Sequence, residues 1–257
     1  MINIKSPREI ELMRHAGHIV AKAHQLIKAH VQPGITTKEL DQMVQQLIEQ
    51  EGATPSFLGY RGYPASICTS VNEEVVHGIP SNRPLVEGDI LSVDIGVQYH
   101  GYHGDSAWSY PVGVVSNELN QLLQVTEQSL YVALEAAKVG VPVGHIGAAV
   151  EAFIKPYGYG IVEEFTGHGV GRELHEEPPI PNFGDPNEGP ILKAGMTLAI
   201  EPMINLGTKR VNVLSDGWTA VTADHQPSAH FEHTVVLTES GYDILTTTKK
   251  EDAHGKR

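Results

Sequence analysis

Apolar residues recur at helical spacing in two segments near the start of the chain, and each segment opens with a capping pattern. Ser6-Pro7-Arg8-Glu9 places serine at the N-cap, proline at the first helical position and glutamate three residues after the cap. Thr36 and Glu39 repeat this capping box before a second amphipathic segment. The pattern predicts one helix that runs to about residue 29 and a second helix that ends at Gly52.

Shorter apolar runs farther along the chain predict antiparallel strands and a second pair of helices. A strand over 90–97, a turn over about 99–104 and a return strand to Tyr110 form a predicted β-hairpin. The other predicted elements are a strand at 67–71, helices at about 117–138 and 144–155, a strand-like run at 196–204, a hairpin that turns at 215–217 and a last strand at 229–237. We expect the polar tail from Thr246 to Arg257 to fray.

The two halves of the chain share a local pattern. Residues 85–94 and 192–201 both follow the pattern Leu-x-x-Gly-x-x-Leu-x-apolar-carboxylate, although so short a match can also arise by chance. Together with the repeated helix-helix-strand order, it indicates an internal duplication about a pseudo-two-fold axis, where Asp94 and Glu201 would meet. We therefore predict an α+β fold with antiparallel strands inside and helices on the outer face. The predicted boundaries are one domain over 1–250, halves of about 5–112 and 116–245, and a flexible tail at 251–257.

Composition excludes several classes of protein. The 257 residues are 40% hydrophobic, enough for a substantial core, and the net charge of −13 argues against nucleic acid as the main partner. The single cysteine, Cys68, cannot form an internal disulfide bond. There is no signal-peptide pattern and no run near the ~20 apolar residues of a membrane-spanning helix. We expect a soluble cytoplasmic protein.

Four carboxylates occur in otherwise apolar strands. If the predicted hairpin turns near 99–100, Asp94 and Asp105 are cross-strand partners about 5 Å apart on one face. Glu201 ends one apolar run, and Glu232 lies within another. Taken singly, each carboxylate has a simpler explanation. Asp94 and Asp105 could be exposed residues of an edge strand. Glu201 could cap a helix or form a salt bridge, and Glu232 could face solvent.

The segment Thr166–Arg172 is dense in glycine and contains His168. Glycine lets a backbone approach a site closely, and the competing interpretation, a phosphate-binding loop, lacks the Lys-Ser/Thr pair of a P-loop. His175 follows seven residues later and His77 lies beside a turn; a lone histidine is more often a surface or core residue than a catalytic one. Taken jointly, four carboxylates and one imidazole form a hard ligand set that suits two divalent first-row ions, which can activate water near neutral pH.

These features resemble type I methionine aminopeptidases, of the pita-bread metallopeptidase fold, over about residues 3–247. The segments that carry the resemblance are Val71–Pro80, Asp94 with Asp105, Gly167–Gly171, His175–Pro178, Ile200–Pro202 and Glu232–Thr234. The resemblance implies a curved antiparallel sheet with helices on its outer face. It also implies removal of the initiator methionine from nascent proteins and peptides by two-metal hydrolysis of the first peptide bond, with a preference for a small second residue.

The resemblance further implies a role for each metal ligand. Asp94 would bind one ion, His168 and Glu201 would bind the other, and Asp105 and Glu232 would bridge both. Glu201 would also act as a proton shuttle. The implied ions are two divalent metals, drawn from Co, Mn, Fe, Zn or Ni.

The resemblance also implies the residues that contact the substrate. His175 would stabilise the developing oxyanion, and His77 would lie near the scissile bond. The methionine pocket would be built from Phe57, Tyr60, Tyr63, Cys68, Leu174 and Trp218, although Cys68 also fits an ordinary buried position. Leu174 stands where many relatives carry phenylalanine, and Phe57 where some carry a small residue. We expect the outline of the pocket to differ and the metal ligands to be kept.

Other implied partners are less specific. A monovalent cation near Asn72, Glu74 and Ser228 is one expectation, with a structural loop role as the alternative. The implied substrates are nascent polypeptides with N-terminal methionine, and the ribosome would be a transient partner. We expect a monomer without membrane attachment and without direct sequence-specific nucleic-acid binding.

Two alternative functions remain to be compared. A non-catalytic binding protein that retains the fold would be expected to lose metal ligands, whereas all five ligands and both substrate histidines stand here. Proline-specific peptidases of the same fold usually carry an extra N-terminal domain, for which the capping box at Ser6 leaves no room.

Type II methionine enzymes carry a helical insertion between the positions of His175 and Glu201, and only 25 residues separate them here. Type I is therefore the favoured assignment.

Overall fold

The computed structural model describes residues 2–248 as four α-helices, two short 3₁₀ turns and fifteen short strands. The helices are α1 (Pro7–His30), α2 (Thr37–Gln50), α3 (Asn117–Ala136) and α4 (Gly144–Ile154). The strands of the first half are β1 (Thr54–Pro55), β2 (Cys68–Val71), β3 (Glu74–Val76), β4 (Ile90–Tyr99) and β5 (Tyr102–Pro111). Those of the second half are β6 (Gly160–Ile161), β7 (Gly167–Gly169), β8 (Glu176–Ile180), β9 (Thr197–Ile200), β10 (Met203–Asn205), β11 (Val211–Val213), β12 (Ala220–Thr222), β13 (Ser228–His230), β14 (His233–Thr238) and β15 (Gly241–Ile244).

All four predicted helices are present, and their ends lie within about two residues of the predicted ones. The two predicted capping boxes form as expected: the N-cap side chains of Ser6 and Thr36 accept from the backbone N–H groups of Glu9 and Glu39, whose carboxylates bond back to the caps. None of the described helices is long and apolar enough to cross a membrane.

The β4–β5 hairpin is present, but its register differs from the prediction. Its turn consists of His100 and Gly101 alone, with φ of +49° and +82°, the left-handed values that a tight two-residue turn requires. This turn places Asp94 opposite Ala107 and Asp105 opposite Gly96, so the predicted direct pairing of the two aspartates is wrong. The offset is two residues, and because side chains alternate along a strand, both aspartates still point to the same face.

Two strands that were predicted as continuous are each broken. The run 196–204 is divided into β9 and β10 around Glu201-Pro202, and the run 229–237 into β13 and β14 around Phe231-Glu232. Proline has no N–H to donate to a ladder, which ends pairing at the first break. The final strand, β15, was not predicted; it pairs with β14 in a five-stranded sheet of order β15-β14-β9-β7-β8.

Each pair of helices buries its apolar side against strands of its own half. In the first half, Ile19, Val44 and other residues of α1 and α2 pack with Val93 and Ile95 of β4. In the second half, residues of α3 and α4 pack with β9 and β14. The α+β class is confirmed, whereas the boundaries of the domain and of its two halves stay a prediction. The tail predicted to be flexible, 251–257, lies outside the described residues, as does most of the segment expected to fray.

Candidate metal centre and substrate pocket

A cavity of about 410 Å³ brings together every residue predicted to bind the divalent metals or to contact the substrate. Its lining contains the five predicted metal ligands and the eight predicted substrate-contacting residues: Asp94, Asp105, His168, Glu201, Glu232, His77, His175, Phe57, Tyr60, Tyr63, Cys68, Leu174 and Trp218. It also contains Arg61 and Phe165, which were not predicted. Arg61 stands between two predicted pocket tyrosines and Phe165 just before the glycine-dense segment; that proximity in sequence was the available signal.

The hairpin supplies two of the carboxylates. Val93 and Ile95 of β4 pack into the core beneath α1 and α2, so the alternation of side chains turns Asp94 toward the cavity. Asp105 on β5 is 3% exposed. Gly96 stands opposite Asp105, and a Cβ atom there would lie 2.6 Å from the ring of Phe57. The absence of a side chain at position 96 therefore lets the pocket wall approach the carboxylates.

The two strand breaks supply the other two carboxylates. β9–β10 and β13–β14 run antiparallel and are interrupted at the same level, which places Glu201-Pro202 beside Phe231-Glu232. Two hydrogen bonds connect the segment between β13 and β14 to β5. Glu232 N donates to the Ala107 carbonyl at 2.8 Å, and Ser106 Oγ donates to the Glu232 carbonyl at 2.6 Å. Carboxylates from both halves of the chain are held side by side.

His168, on β7, is oriented by the residue that follows it. Its Nδ1 lies 2.8 Å from the Gly169 carbonyl, which can only accept, so the proton is on Nδ1 and the lone pair is on Nε2. Nε2 lies 3.5 Å from Glu201 Oε1 and 3.9 Å from Asp105 Oδ2. Burial lowers the pKa of His168 to about 3, so the ring is neutral. A neutral imidazole with a directed lone pair is the form that binds metal ions.

The arrangement of these groups fits a divalent cation. Donor atoms of Asp105, His168 and Glu232 lie within 4.8 Å of one another. Asp94 Oδ1, Asp105 Oδ1 and Glu232 Oε1 are buried without a hydrogen-bond partner among the described residues. Burying such oxygens unpaired is costly, and a cation among them removes that cost. Oxygen donors with one imidazole suit first-row divalent ions.

Without metal, the four carboxyls should make the stability of the protein depend on pH. Burial raises the pKa of Asp94 from 3.8 to about 7, and burial together with the neighbouring carboxylates raises that of Asp105 and Glu232 well above the ordinary value. A group with a raised folded-state pKa stabilises the fold fully below its unfolded pKa and loses that contribution as pH rises through the folded one. The melting temperature of chelator-treated protein should therefore fall by roughly 5–10 °C between pH 5 and pH 8.

Two comparisons check this pH dependence by thermal denaturation. Saturating Mn²⁺ or Co²⁺ at pH 8 should restore the lost stability. The variant Asp105→Asn, which removes one of the repelling charges, should show a smaller fall in the absence of metal. An unchanged or rising melting temperature from pH 5 to pH 8 would contradict the arrangement of the carboxyls.

Two further histidines face the cavity. The ring of His175 lies 4.3 Å from that of His168, and its Nδ1 is 2.8 Å from the Tyr60 hydroxyl. His77 adopts a φ of +61°, a strained left-handed value for a non-glycine residue, and its ring meets that of Phe165 edge-on at 5.3 Å. Partial burial lowers the pKa of both imidazoles, to about 4 for His77, with the positive charge of Arg61 adding to the effect on His175.

The loop that carries His175 is tied to the N-terminal segment. Lys5 Nζ pairs with Glu176 Oε2 at 2.5 Å, and both side chains are almost fully buried. On the other side, His103 N of β5 donates to the Gly171 carbonyl at 2.9 Å. The loop of 171–176 is thus held from two directions, which limits how far His175 can move.

An apolar wall adjoins the carboxylates. Its buried members are Phe57, Tyr63, Ala65, Cys68 and Leu174, with Tyr60, Ile79 and Trp218 packed against them. The Tyr63 hydroxyl donates to the Gly78 carbonyl at 2.8 Å, and its ring meets Trp218 edge-on at 5.1 Å. Burial raises the pKa of the Cys68 thiol well above its usual range. Cys68 is therefore a neutral part of the wall and not a nucleophile.

The three residues expected near a monovalent cation are engaged in hydrogen bonds. Asn72 Nδ2 donates to Asp89 Oδ1 at 2.8 Å, and Ser228 N donates to the Asn72 carbonyl at 2.9 Å. Glu74 Oε2 accepts from Val71 N at 2.7 Å. These bonds are what a structural role in the loop, the alternative to cation binding, would require. The monovalent cation stays a prediction.

Comparison with known proteins identifies the family. The model of metallopeptidase family M24 matches residues 11–239, most of the chain. The chain belongs to metallopeptidase family M24. This metallopeptidase is 54% identical to methionine aminopeptidase 1 of Bacillus subtilis over 246 residues, which cover 96% of this chain and 99% of that protein. It is 41% identical to methionine aminopeptidase of Escherichia coli over 252 residues, 97% of this chain and 96% of the relative.

Solved structures show that the metallopeptidase has the expected fold. Methionine aminopeptidase of Thermotoga maritima superposes with a TM-score of 0.95 at 45% identity, over 96% of this chain and 100% of that one. Prolidase of Pyrococcus furiosus superposes with a TM-score of 0.79 at 27% identity, over 96% of this chain and 66% of the prolidase. The pita-bread prediction is confirmed, and the chain is a metal-dependent hydrolase.

Proposed function

We propose that this metallopeptidase removes methionine from the N-terminus of nascent proteins and peptides, with a preference for a small second residue. The observation that carries the proposal is the cavity of about 410 Å³, in which a carboxylate–imidazole cluster adjoins an apolar wall. The wall offers an aromatic-lined space for an unbranched apolar side chain. The similarity to methionine aminopeptidases supports the same assignment over nearly the whole chain.

The proposed centre holds two divalent ions. Asp94 would bind one ion, His168 and Glu201 the other, and Asp105 and Glu232 both, as their positions on neighbouring hydrogen-bonded segments allow. When bound, such ions polarise a carbonyl and lower the pKa of water. The affinity of a given set of ligands for Co, Mn, Fe, Zn and Ni follows a fixed order. The ion that occupies the centre in the cell therefore depends on which ions are available there.

The protein's own side chains would manage the protons and the developing charge. Glu201 faces the cavity, where it would accept a proton from the attacking water and pass it to the leaving amine. We propose that the Tyr60 hydroxyl donates to His175 Nδ1, which leaves the proton on Nε2 to donate to the developing oxyanion. His77, fixed in a strained backbone conformation against Phe165, would contact the substrate beside the scissile bond.

The remaining features of the proposal concern cellular context. We infer that nascent chains are the natural substrates, that the ribosome is a transient partner, and that the protein acts as a cytoplasmic monomer. Similarity to methionine aminopeptidases supports the nascent-chain substrate.

A peptide assay tests the proposed activity. Metal-loaded protein, incubated separately with Met-Ala-Ser and Met-Leu-Ser, should release free methionine much faster from the first peptide, because a small second residue is preferred. Chelation should stop release, and added metal should restore it. No release with Mn, Co, Fe or Zn would refute the enzyme assignment, whereas faster release from Met-Leu-Ser would refute the methionine specificity and leave a peptidase.

A further inference from the structure

A histidine outside the predicted ligand set lies at the metal centre. His230, the last residue of β13, is 1% exposed, and its Nε2 has no hydrogen-bond partner among the described residues. That atom lies 3.3 Å from Glu201 Oε2. The two atoms are close but do not have the geometry of a hydrogen bond, and a buried ring nitrogen without such a bond costs free energy that a cation beside it would remove.

The carboxylate of Glu201 lies between two imidazoles. Its Oε1 is 3.5 Å from His168 Nε2, and its Oε2 is 3.3 Å from His230 Nε2. The donor atoms of Glu201, His230 and Glu232 all lie within 4.8 Å of one another, the same spacing found for Asp105, His168 and Glu232. An ion about 2.0–2.2 Å from each ligand fits between atoms so spaced.

The place of the His230 ring is set by its backbone. His230 N donates to Ser109 Oγ, and Ser109 Oγ donates to the His230 carbonyl, both at 2.9 Å. On the other side, β13 pairs with β10, with Met203 opposite His230. The imidazole is thus held at the strand break that also positions Glu201 and Glu232. This matters because a ligand contributes most when its position exists before the ion binds.

We propose that His230 Nε2 is a second nitrogen donor of the metal centre, to the ion held by Glu201 and Glu232. The proposal rests on the metal centre proposed above and extends its ligand set to two imidazoles and four carboxylates. Imidazole suits iron, nickel and zinc, whereas carboxylate oxygens suit manganese, and cobalt lies between iron and nickel in the general order of affinity. A second imidazole should therefore favour the later first-row ions over Mn²⁺.

Metal titration of the variant His230→Gln tests the assignment. Calorimetry should show Co²⁺ binding to the variant weakened by more than roughly 100-fold, beyond the loss expected for a partner outside the coordination sphere, with a smaller change for Mn²⁺. The matched control is His233→Gln, three residues away, whose buried ring bonds Thr246 Oγ1 instead of facing the centre. The control should bind both ions like the unsubstituted protein. Unchanged Co²⁺ affinity in His230→Gln would overturn the assignment.

A count of coordinated nitrogens provides a test that does not require the His230 variant to fold. Pulsed electron paramagnetic resonance of the Mn²⁺-loaded, unsubstituted protein should show two imidazole nitrogens, and His168→Gln should reduce the count to one. A single nitrogen in the unsubstituted protein, one that disappears in His168→Gln, would overturn the role of His230. In that case methionine release and metal binding would persist, and the proposed function would stand. Failure to bind any divalent ion would overturn both.

Discussion

Replacement of Asp105 by asparagine should abolish methionine release and weaken binding of divalent metal by more than roughly 100-fold, beyond the loss expected for a partner outside the coordination sphere. An amide has nearly the shape of a carboxylate but carries no negative charge, so the change removes charge from the centre with little change in packing. Asp105 lies on the segment that hydrogen-bonds to the strand break carrying Glu232, and its Oδ1 is buried without a protein partner. Both observations support the proposal that Asp105 binds metal together with Glu232.

The comparison variant for this prediction is Asp185→Asn, which makes the same chemical change on an exposed residue outside the cavity. It should keep full activity and metal binding. Glu232→Gln should reproduce the result of Asp105→Asn, because both carboxylates are proposed to bridge the ions. Two bound metal ions per chain in a folded Asp105→Asn protein, measured by calorimetry, would show that the bridging assignment is wrong.

Replacement of His175 by alanine should lower turnover of Met-Ala-Ser by roughly 10²–10³-fold and leave metal affinity within about twofold. His175 contacts the ring of His168, and its Nδ1 lies 2.8 Å from the Tyr60 hydroxyl. Its proposed role is that of a hydrogen-bond donor to the substrate, so its loss should leave the metal ligands in place. Tyr60→Phe should give a smaller loss, about tenfold, because the ring of His175 remains while the partner that sets its tautomer is removed.

Steady-state kinetics and calorimetry on the same preparations separate the two roles of His175. The control is His145→Ala on α4, where the histidine is exposed and outside the cavity, and activity should be unchanged. If metal affinity fell in parallel with activity in His175→Ala, His175 would be a metal ligand, and its proposed role at the oxyanion would be wrong.

In the β4–β5 hairpin, the face of each side chain could be predicted from the sequence, but the register of pairing could not. The alternation of apolar residues correctly predicted that Asp94 and Asp105 share a face, since that depends only on the period of a strand. The sequence predicts a broader turn, over 99–104, which shifts the pairing by two residues. A tight turn at His100-Gly101 requires left-handed backbone at a histidine, which local sequence favours only weakly.

The missed role of His230 has a similar cause. His230 and Glu232 are two residues apart, a spacing that places side chains on one face of a strand, but the strand ends between them. Whether that imidazole reached the carboxylates depended on the break at Glu201-Pro202, about thirty residues earlier in the chain. Fourteen histidines are present, and local pattern alone gave no reason to select this one.

The sequence by itself determined the residue types of the site, the four helices with their caps, and the apolar faces that turn the carboxylates away from the core. These depend on interactions within a few residues, which composition and period encode directly. Only the tertiary structure decided how the hairpin pairs, where two antiparallel strands break at one level, and which histidines meet the carboxylates. The hairpin pairing depends on a left-handed turn at His100. The other two outcomes depend on contacts between segments far apart in the chain, such as Ser106 with Glu232, and no local pattern encodes them.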